Sequence, residues 1–349
     1  MKSVRPLLCL FVAASLSCGT TNPSTVLKRS EISSDGDVFR LAFGSCAHQD
    51  KPQPILREVV RQKPDAFVYL GDNIYGDTDD DISVMTAAYE KLAAKKEFQM
   101  LRQAIPLFQT WDDHDYGAND AGHEYPLKEE VKEVFLDFWQ VPANDVRRTR
   151  EGIYYSKEFR SGGKLVQLIV LDTRTFRGPW TKRGSDPNFR HRYKPADGND
   201  ILGTKQWDWL ERTLSKSADL HIIASSIQFS GDYHGFEAWA NAPDQRLKMA
   251  ELIEKQTKEP VIFISGDVHH GELSLFQTPS KRKFYDLTSS GINQVGTILE
   301  PSDSRIGKAV FESNFGMITV VWAESTLRFE LVGEQGQVLS KYEVKLEEL

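Results

Sequence analysis

Cysteine is scarce in this sequence, with three residues in 349. Cys9 and Cys18 fall within and at the edge of an N-terminal leader, which leaves Cys46 as the single thiol of the folded part. A disulfide framework is therefore excluded, and a lone thiol in an exported chain points to a reactive or metal-binding role. Positive charge is also in deficit: 43 Lys and Arg stand against 50 Asp and Glu, a balance of −7. Losing the leader with Lys2 and Arg5 makes it two charges more acidic, which argues against nonspecific nucleic-acid binding. No apolar run is long enough to span a bilayer as a helix. Residues 38–349 show no internal repeat and no shift in composition, so one large domain is expected there.

The leader reads as an export signal. Met1 to Arg5 is basic, Leu7 to Leu16 is apolar, and small residues lead to Cys18,. Residues 1–17 are expected to be removed. Ser15-Leu16-Ser17-Cys18 resembles a bacterial lipoprotein processing box with its leucine one place late, so plain cleavage and lipidation of Cys18 both stay open. The expected location is exported, periplasmic or at the cell surface, with membrane contact only through that lipid anchor. Residues 18–37, rich in Ser, Thr and Asn, read as a flexible tether.

From residue 38 the chain alternates buried-strand and helix patterns. Strands are expected at Val38–Phe43, Ala66–Leu70, Ile105–Thr110, Tyr154–Phe159, Leu165–Leu171, Leu220–Ala224, Pro260–Ile264 and Tyr285–Thr288. A late meander follows at Met317–Trp322, Leu327–Val332 and Val338–Val344. Helices are expected over 54–62, 82–102, 128–139, 204–215 and 244–257. The long irregular stretch Phe176–Leu202 carries Gly, Pro, aromatic and basic residues, as functional loops do.

Four strand ends carry unusual polar residues: Cys46 in Gly-Ser-Cys, Asp72 and Tyr75 in Gly-Asp-Asn-Ile-Tyr, Asp113 and His114 in Trp-Asp-Asp-His-Asp, and Asp267 and His269 in Ser-Gly-Asp-Val-His. A single Asp or His at a strand end is most often a cap or a solvated loop residue. Four such clusters at the same end of buried strands converge on one crevice in an open α/β sheet, which is what a metal centre needs.

These motifs, with Leu-Asp-Thr-Arg at 171–174, Leu202-Gly203 with Gln206-Trp207 and Trp209-Leu210, and His234-Gly235 through Asn241, resemble the alkaline phosphatase D (PhoD-like) metallophosphatases of the calcineurin-like superfamily. The resemblance covers nearly all of 38–349 in the family's order. It departs in lacking the family's N-terminal β domain and the twin-arginine leader. It implies an α/β fold, a two-sheet β-sandwich flanked by helices, and a dinuclear centre of Fe³⁺ and Ca²⁺. Cys46, Tyr75 and His269 suit trivalent iron, Asp72 suits a bridge, and Asp113, Asn119 and Asp267 suit an oxygen-rich calcium position. His114 is the candidate catalytic imidazole, either donating a proton or merely orienting Asp113. Gln228 is a candidate ligand or substrate contact. Arg174 is either a phosphate-side cation or a buried partner of Asp172.

The function expected is an exported metallophosphatase acting on phosphomonoesters, phosphodiesters or both, with a small molecule, lipid or polymer phosphate ester as its partner. One rival is a phosphodiesterase acting on phospholipids or wall polymers. A rival of another class is a noncatalytic metal-binding surface lipoprotein. The basic residues Lys182, Arg183, Arg190, His191, Arg192 and Lys194 either gather anionic substrate or solvate a loop. His234 and His270 are expected to be structural or pocket-lining, and Trp207, Trp209 and Trp239 to be core or rim.

Overall fold

The computed structural model describes residues 32–34 and 36–349. The leader, Cys18 and most of the expected tether lie outside them. In chain order the strands are β1 Ile32–Ser34, β2 Val38–Gly44, β3 Ala66–Leu70, β4 Leu107–Thr110, β5 Tyr155–Ser161, β6 Lys164–Val170 and β7 Leu220–Ala224. They continue as β8 Val261–Ser265, β9 Gly271–Gln277, β10 Lys283–Ser289, β11 Arg305–Val310, β12 Asn314–Val321, β13 Thr326–Gly333 and β14 Val338–Lys345. The helices are α1 Ile55–Gln62, α2 Ile82–Ala93, α3 Lys96–Ala104, α4 Asp113–Tyr116, α5 Lys128–Phe138, α6 Gly203–Leu214 and α7 Pro243–Gln256.

The strands form two sheets. One has six strands in the order β14-β13-β12-β2-β3-β4, and the other eight in the order β1-β5-β6-β7-β8-β10-β9-β11. Within the first, β2, β3 and β4 run parallel. Within the second, β6, β7, β8 and β10 do. Alternation sorts their side chains. Leu41, Phe43, Val68 and Leu70 face Leu168, Ile222, Ile262 and Ile264 of the other sheet and fill the space between the two,. Ala42, Phe67 and Tyr69 point the opposite way and pack under α1, α2, α3 and α5. On the far side Ile169, Ile223 and Phe263 pack under α6 and α7. The result is the expected two-sheet sandwich with helices on both faces.

Several local expectations change. The stretch read as one helix from Ile82 to Arg102 breaks at Ala94 and Lys95, where Lys95 is extended. The break turns Phe98 and Leu101 of α3 toward α1, while α2 packs on α5. Strands β9 and β11 were not legible because Gly271 to Gln277 mixes polar and apolar residues, and Arg305 to Val310 is a largely exposed strand at the edge of the sheet. Ile32–Ser34 pairs in parallel with Phe159–Ser161, so the eight-stranded sheet begins inside the segment read as tether.

Ile264 is fully buried on β8 between the sheets, two positions before the loop that carries Asp267. Ile264→Ala should lower the unfolding free energy by about 2–5 kcal/mol, the usual cost of a deep aliphatic truncation. Urea unfolding measures it, with Val84→Ala on the exposed face of α2 near zero as the reference.

Candidate active site

Both sheets present their parallel strands with carboxyl ends toward one rim. From the six-stranded sheet, β2 leads to Cys46, β3 to Asp72 and β4 to Asp113 and His114. From the eight-stranded sheet, β7 leads to Gln228, β8 to Asp267 and His269, and β10 to Ser290. The convergence expected from the strand ends is therefore real but comes from two sheets facing each other, not from one.

The chain turns sharply to reach these positions. Cys46, Asp72, Asp77, Asp120, Asp267 and His269 all have positive φ, between 43° and 71°, a region non-glycine residues seldom enter,. Gly71, at φ 103°, sits where a Cβ would lie 2.4 Å from the Cβ of Asp112. Only glycine lets β3 end that close to the next loop.

The ligand-type atoms form one continuous cluster. Within 4.8 Å of one another lie donor atoms of Cys46, Asp72 and His269; of Asp72, Asp113 and His114; of Asp112, Asp113 and Asp267; and of Asp113, Asp120 and Glu237. The Cys46 thiol donates to Asp72 Oδ2 at 3.3 Å, and the Tyr75 hydroxyl reaches the same oxygen at 3.3 Å. Tyr75 also lies 3.3 Å from His269 Nε2. Asn119 is exposed on the wall of the same cleft, away from these bonds.

This cluster fits a cation on its own chemistry. Asp72 Oδ1 is buried without a hydrogen-bond partner, as is Oδ2 of Asp112. Burial, the Cys46 sulfur and the neighbouring carboxylates push the Asp72 pKa well above the usual carboxylate range. Burial, with Asp112, Glu237 and Asp113 nearby, does the same to Asp267. Burial lifts Cys46 to about 12. Asp113 differs. Burial works to raise it, but Arg174, His114 and the backbone N–H of Asp120 outweigh that and hold it down to about 2. Packing so many anions out of water is unfavourable unless positive charge joins them.

His114 is half-buried, and its Nδ1 lies 2.7 and 2.8 Å from the two oxygens of Asp77. Burial disfavours its charged form, yet Asp77, Asp113 and Asp112 prevail and push the pKa up to about 9. With Nδ1 engaged by Asp77, Nε2 is the nitrogen left for a substrate.

Arg174 takes a different place from either role expected of it. Its guanidinium is wholly buried, 2.5 Å from Asp112 Oδ1, 2.7 Å from Glu237 Oε2 and 3.9 Å from Asp113. It does not reach the cleft as a phosphate-side cation, nor does it pair with the Asp172 carboxylate. Asp172 instead accepts from the backbone N–H groups of Ile153, Arg174 and Thr175 and from Trp111 Nε1. Gln228 does line the cleft, with its amide nitrogen donating to Glu272 and Thr288, each at 2.9 Å. His234 and His270 line it too. Of the basic loop, Arg190 and His191 pair with Glu300, and Arg192 with Asp120, so these residues chiefly tie the loop down.

Sequence reading missed the residues that hold the ligands in place. Asp115 Oδ1 accepts from the N–H of Asp72 at 3.1 Å and of Asp112 at 2.7 Å, and Oδ2 accepts from the Asn73 amide at 2.5 Å. Ser290 Oγ lies 3.0 Å from the Cys46 sulfur and accepts from His269 N–H at 2.7 Å. Glu237 meets Arg174 and Arg177. Asp115 stands inside the Trp-Asp-Asp-His-Asp motif and carried a signal; Ser290 carried none. Asp115→Ala would leave buried donors from two loops unpaired, so it should lower the unfolding free energy by roughly 2–5 kcal/mol. Asp137→Ala, which removes a solvent-exposed partner of Arg148, should change it by less than about 0.5 kcal/mol in the same denaturation assay,.

Comparison with known proteins gives the cluster its context. A purple acid phosphatase from yellow lupin (Lupinus luteus) seeds superposes with a TM-score of 0.63 at 13% identity, over 89% of this chain and 54% of that one. The solved structure of PhoD superposes with a TM-score of 0.71 at 16% identity, over 90% of this chain and 71% of that one. These likenesses establish the fold. Alkaline phosphatase D of Bacillus subtilis (strain 168) is 23% identical over 274 residues, 65% of this chain. The aligned part spans 45% of that relative, less than half its length. Residues 41–339 match the PhoD-like phosphatase family from the second strand to the last, and the chain belongs to that family.

Proposed function

We propose that the chain is a metal-dependent phosphoesterase that hydrolyses phosphomonoesters, phosphodiesters or both in this cleft. The observation that carries the reading is the sharing of Asp72. One of its oxygens meets the thiol and phenol of Cys46 and Tyr75, beside His269, while its carboxylate also lies against Asp113 and His114. That is a pair of adjoining donor sets with a common bridge and an imidazole beside them.

The two sets differ in chemistry. Sulfur, phenol and imidazole from Cys46, Tyr75 and His269 suit Fe³⁺, and Asp113 and Asp267 with Asn119 at the rim suit Ca²⁺. Five ionised groups, from Cys46, Asp72, Tyr75, Asp113 and Asp267, match the charge of that pair of ions. Bound there, the ions would supply positive charge for the phosphoryl oxygens and lower the pKa of a nucleophilic water. His114, held through Nδ1 by Asp77, would present Nε2 to the ester and protonate the departing alkoxide. Ser290 and Asp115 keep the loops of Cys46, His269, Asp72 and Asp112 in register, so that these groups need not reorganise during turnover.

An oriented imidazole beside the cluster also argues against the noncatalytic reading, because a purely structural metal site has no use for one. The same proposal places the protein outside the cytoplasm. It is supported by the basic and apolar start of the chain and the small residues before Cys18, where a lipid anchor would attach.

Two measurements test the proposal. Metal analysis of the purified protein should find iron and calcium, and Cys46→Ser should lose the iron and any thiolate charge-transfer absorption while keeping its circular dichroism. Full iron content and full activity in that variant would remove Cys46 from the site. The second measurement is turnover across esters of graded leaving-group pKa. His114→Ala should slow hydrolysis by roughly 10²–10⁴-fold for poor alkoxide leaving groups and much less for aryl ones, with metals retained. An equal loss for all esters with metals retained would make His114 a stabiliser of transition-state charge. A loss of metal would make it a support for Asp113.

A further inference from the structure

The loop after Cys46 carries a histidine for which neither the strand-end motifs nor the donor cluster accounts. His48 is half-buried, and its imidazole stacks on the ring of Tyr75 with centroids 4.8 Å apart and planes 11° from parallel. Tyr75 also meets the ring of His114, at 4.3 Å between centroids and 35° between planes. Rings at these separations are in face contact. Tyr75 thus lies between two imidazoles, one of which is the group proposed to act on the ester.

His48 is itself anchored. Its N–H donates to Asn293 Oδ1 at 2.7 Å, the Asn293 amide donates back to its carbonyl at 2.9 Å, and its Nδ1 accepts from the Asp50 N–H at 3.2 Å. Gln49, next in the chain, grips the main chain of Tyr75. Its Oε1 accepts from the Tyr75 N–H at 2.8 Å and its Nε2 donates to the Tyr75 carbonyl at 2.9 Å. Two consecutive residues therefore hold the backbone and the ring of one tyrosine.

The phenol end is held more loosely. The Tyr75 hydroxyl meets Asp72 Oδ2 and His269 Nε2 at 3.3 Å each, longer than well-formed hydrogen bonds of a hydroxyl, so these contacts do not set the tilt of the ring,. His114 is in a similar position. Asp77 holds its Nδ1, but Asp77 is exposed, and a bond at one nitrogen leaves the imidazole free to turn about it. Contact with the face of Tyr75 supplies the second constraint.

We propose that His48 is a positioning residue that acts through the Tyr75 ring to keep the imidazole of His114 aimed at the ester. It does not line the cleft, so it takes no direct part with the substrate. Without it one face of Tyr75 would open to water, the ring would rock, and His114 would lose its backstop. A displacement of about 1 Å at a reacting group can cost on the order of 10²-fold in rate. The inference rests on the reading of His114 as the group that serves the ester, and goes beyond it by naming what holds that group in line. Tyr75 then has two uses: its oxygen joins the donor set, and its face orients the imidazole.

Turnover of the metal-saturated protein across esters of graded leaving-group pKa tests this. His48→Ala should lower kcat on the order of tenfold, the kinetic equivalent of one lost ring stack, with KM changed by less than about twofold. Its dependence on leaving group should copy that of His114→Ala. In a His114→Ala background the same substitution should cost less than about twofold, because no imidazole is left to aim. His48→Phe keeps a flat ring against Tyr75 and should recover most of kcat. His48→Leu fills the space without one, should resemble His48→Ala, and replaces it should that variant fail to fold. Metal loss to excess EDTA reads the grip on Tyr75 without turnover: it should be several-fold faster in His48→Ala or His48→Leu and near the parent rate in His48→Phe. An unchanged kcat, a loss that adds in full to that of His114→Ala, a His48→Phe variant as slow as His48→Leu, or metal loss at the parent rate in every variant would each overturn the proposal. A parent protein that hydrolyses no ester would instead overturn the phosphoesterase reading, and metal loss would still show whether His48 holds Tyr75.

Discussion

Concentrated buried negative charge is the constraint around which this molecule is built. Asp72, Asp112, Asp113, Asp115 and Glu237 are buried with the Cys46 thiol among them, and Asp267 is half-buried beside them. Arg174 is fully buried in their midst and bonds to Asp112 and Glu237, and Arg177 meets Glu237 from the side. Two guanidinium groups do not balance six carboxyls. The upward shifts of Asp72, Asp267 and Cys46, beside an unpartnered oxygen on Asp72, show where the remaining positive charge is wanted. A buried ion pair is rarely a source of net stability, since desolvation offsets most of its Coulomb gain. The arrangement is better understood as fixing geometry: Arg174 sets Asp112, and with it the loop that aims Asp113.

The same demand for geometry explains the backbone. Six non-glycine residues at the site hold positive φ, each at a cost of order 1 kcal/mol or more,. Such conformations persist only where the surroundings over-determine them. Here the parallel strands behind them provide that support, together with Asp115, Ser290 and Asp172, whose oxygens gather the N–H groups that the turns leave free. Removing water and filling these donors in advance is what lets a polar site act without reorganising.

The two-sheet architecture also divides the labour. The six-stranded sheet delivers Cys46, Asp72, Asp113 and His114, and the eight-stranded sheet delivers Asp267, His269, Gln228 and Ser290. The cavity lies where the two rims meet. Strand-end residues make its acidic wall, and the long loop between β10 and β11, bonded back to Cys46 and His269, makes another.

The sequence by itself determined the strands of the core, because period-two alternation and unbroken apolar runs have few other readings, and it determined the strand-end motifs, because Cys, Asp, Tyr and His are conspicuous where a buried strand stops. Most of the candidate ligands were legible for that reason, and the two-sheet sandwich was legible through the family resemblance that those motifs carry together with the strand count. Partner choice was not legible, since it depends on distance through space. Arg174 stands two residues from Asp172, yet its guanidinium bonds to Asp112 and Glu237, some sixty positions away in either direction. Ser290 follows an ordinary strand, and only the pairing of β10 with β8 brings it to Cys46 and His269. The split of α2 from α3 likewise came from packing, because a helical stripe fixes which face is apolar but not which neighbour that face must meet. Tertiary structure alone decided that two sheets, rather than one, close the site, since local sequence pattern carries no record of which strands lie across from one another.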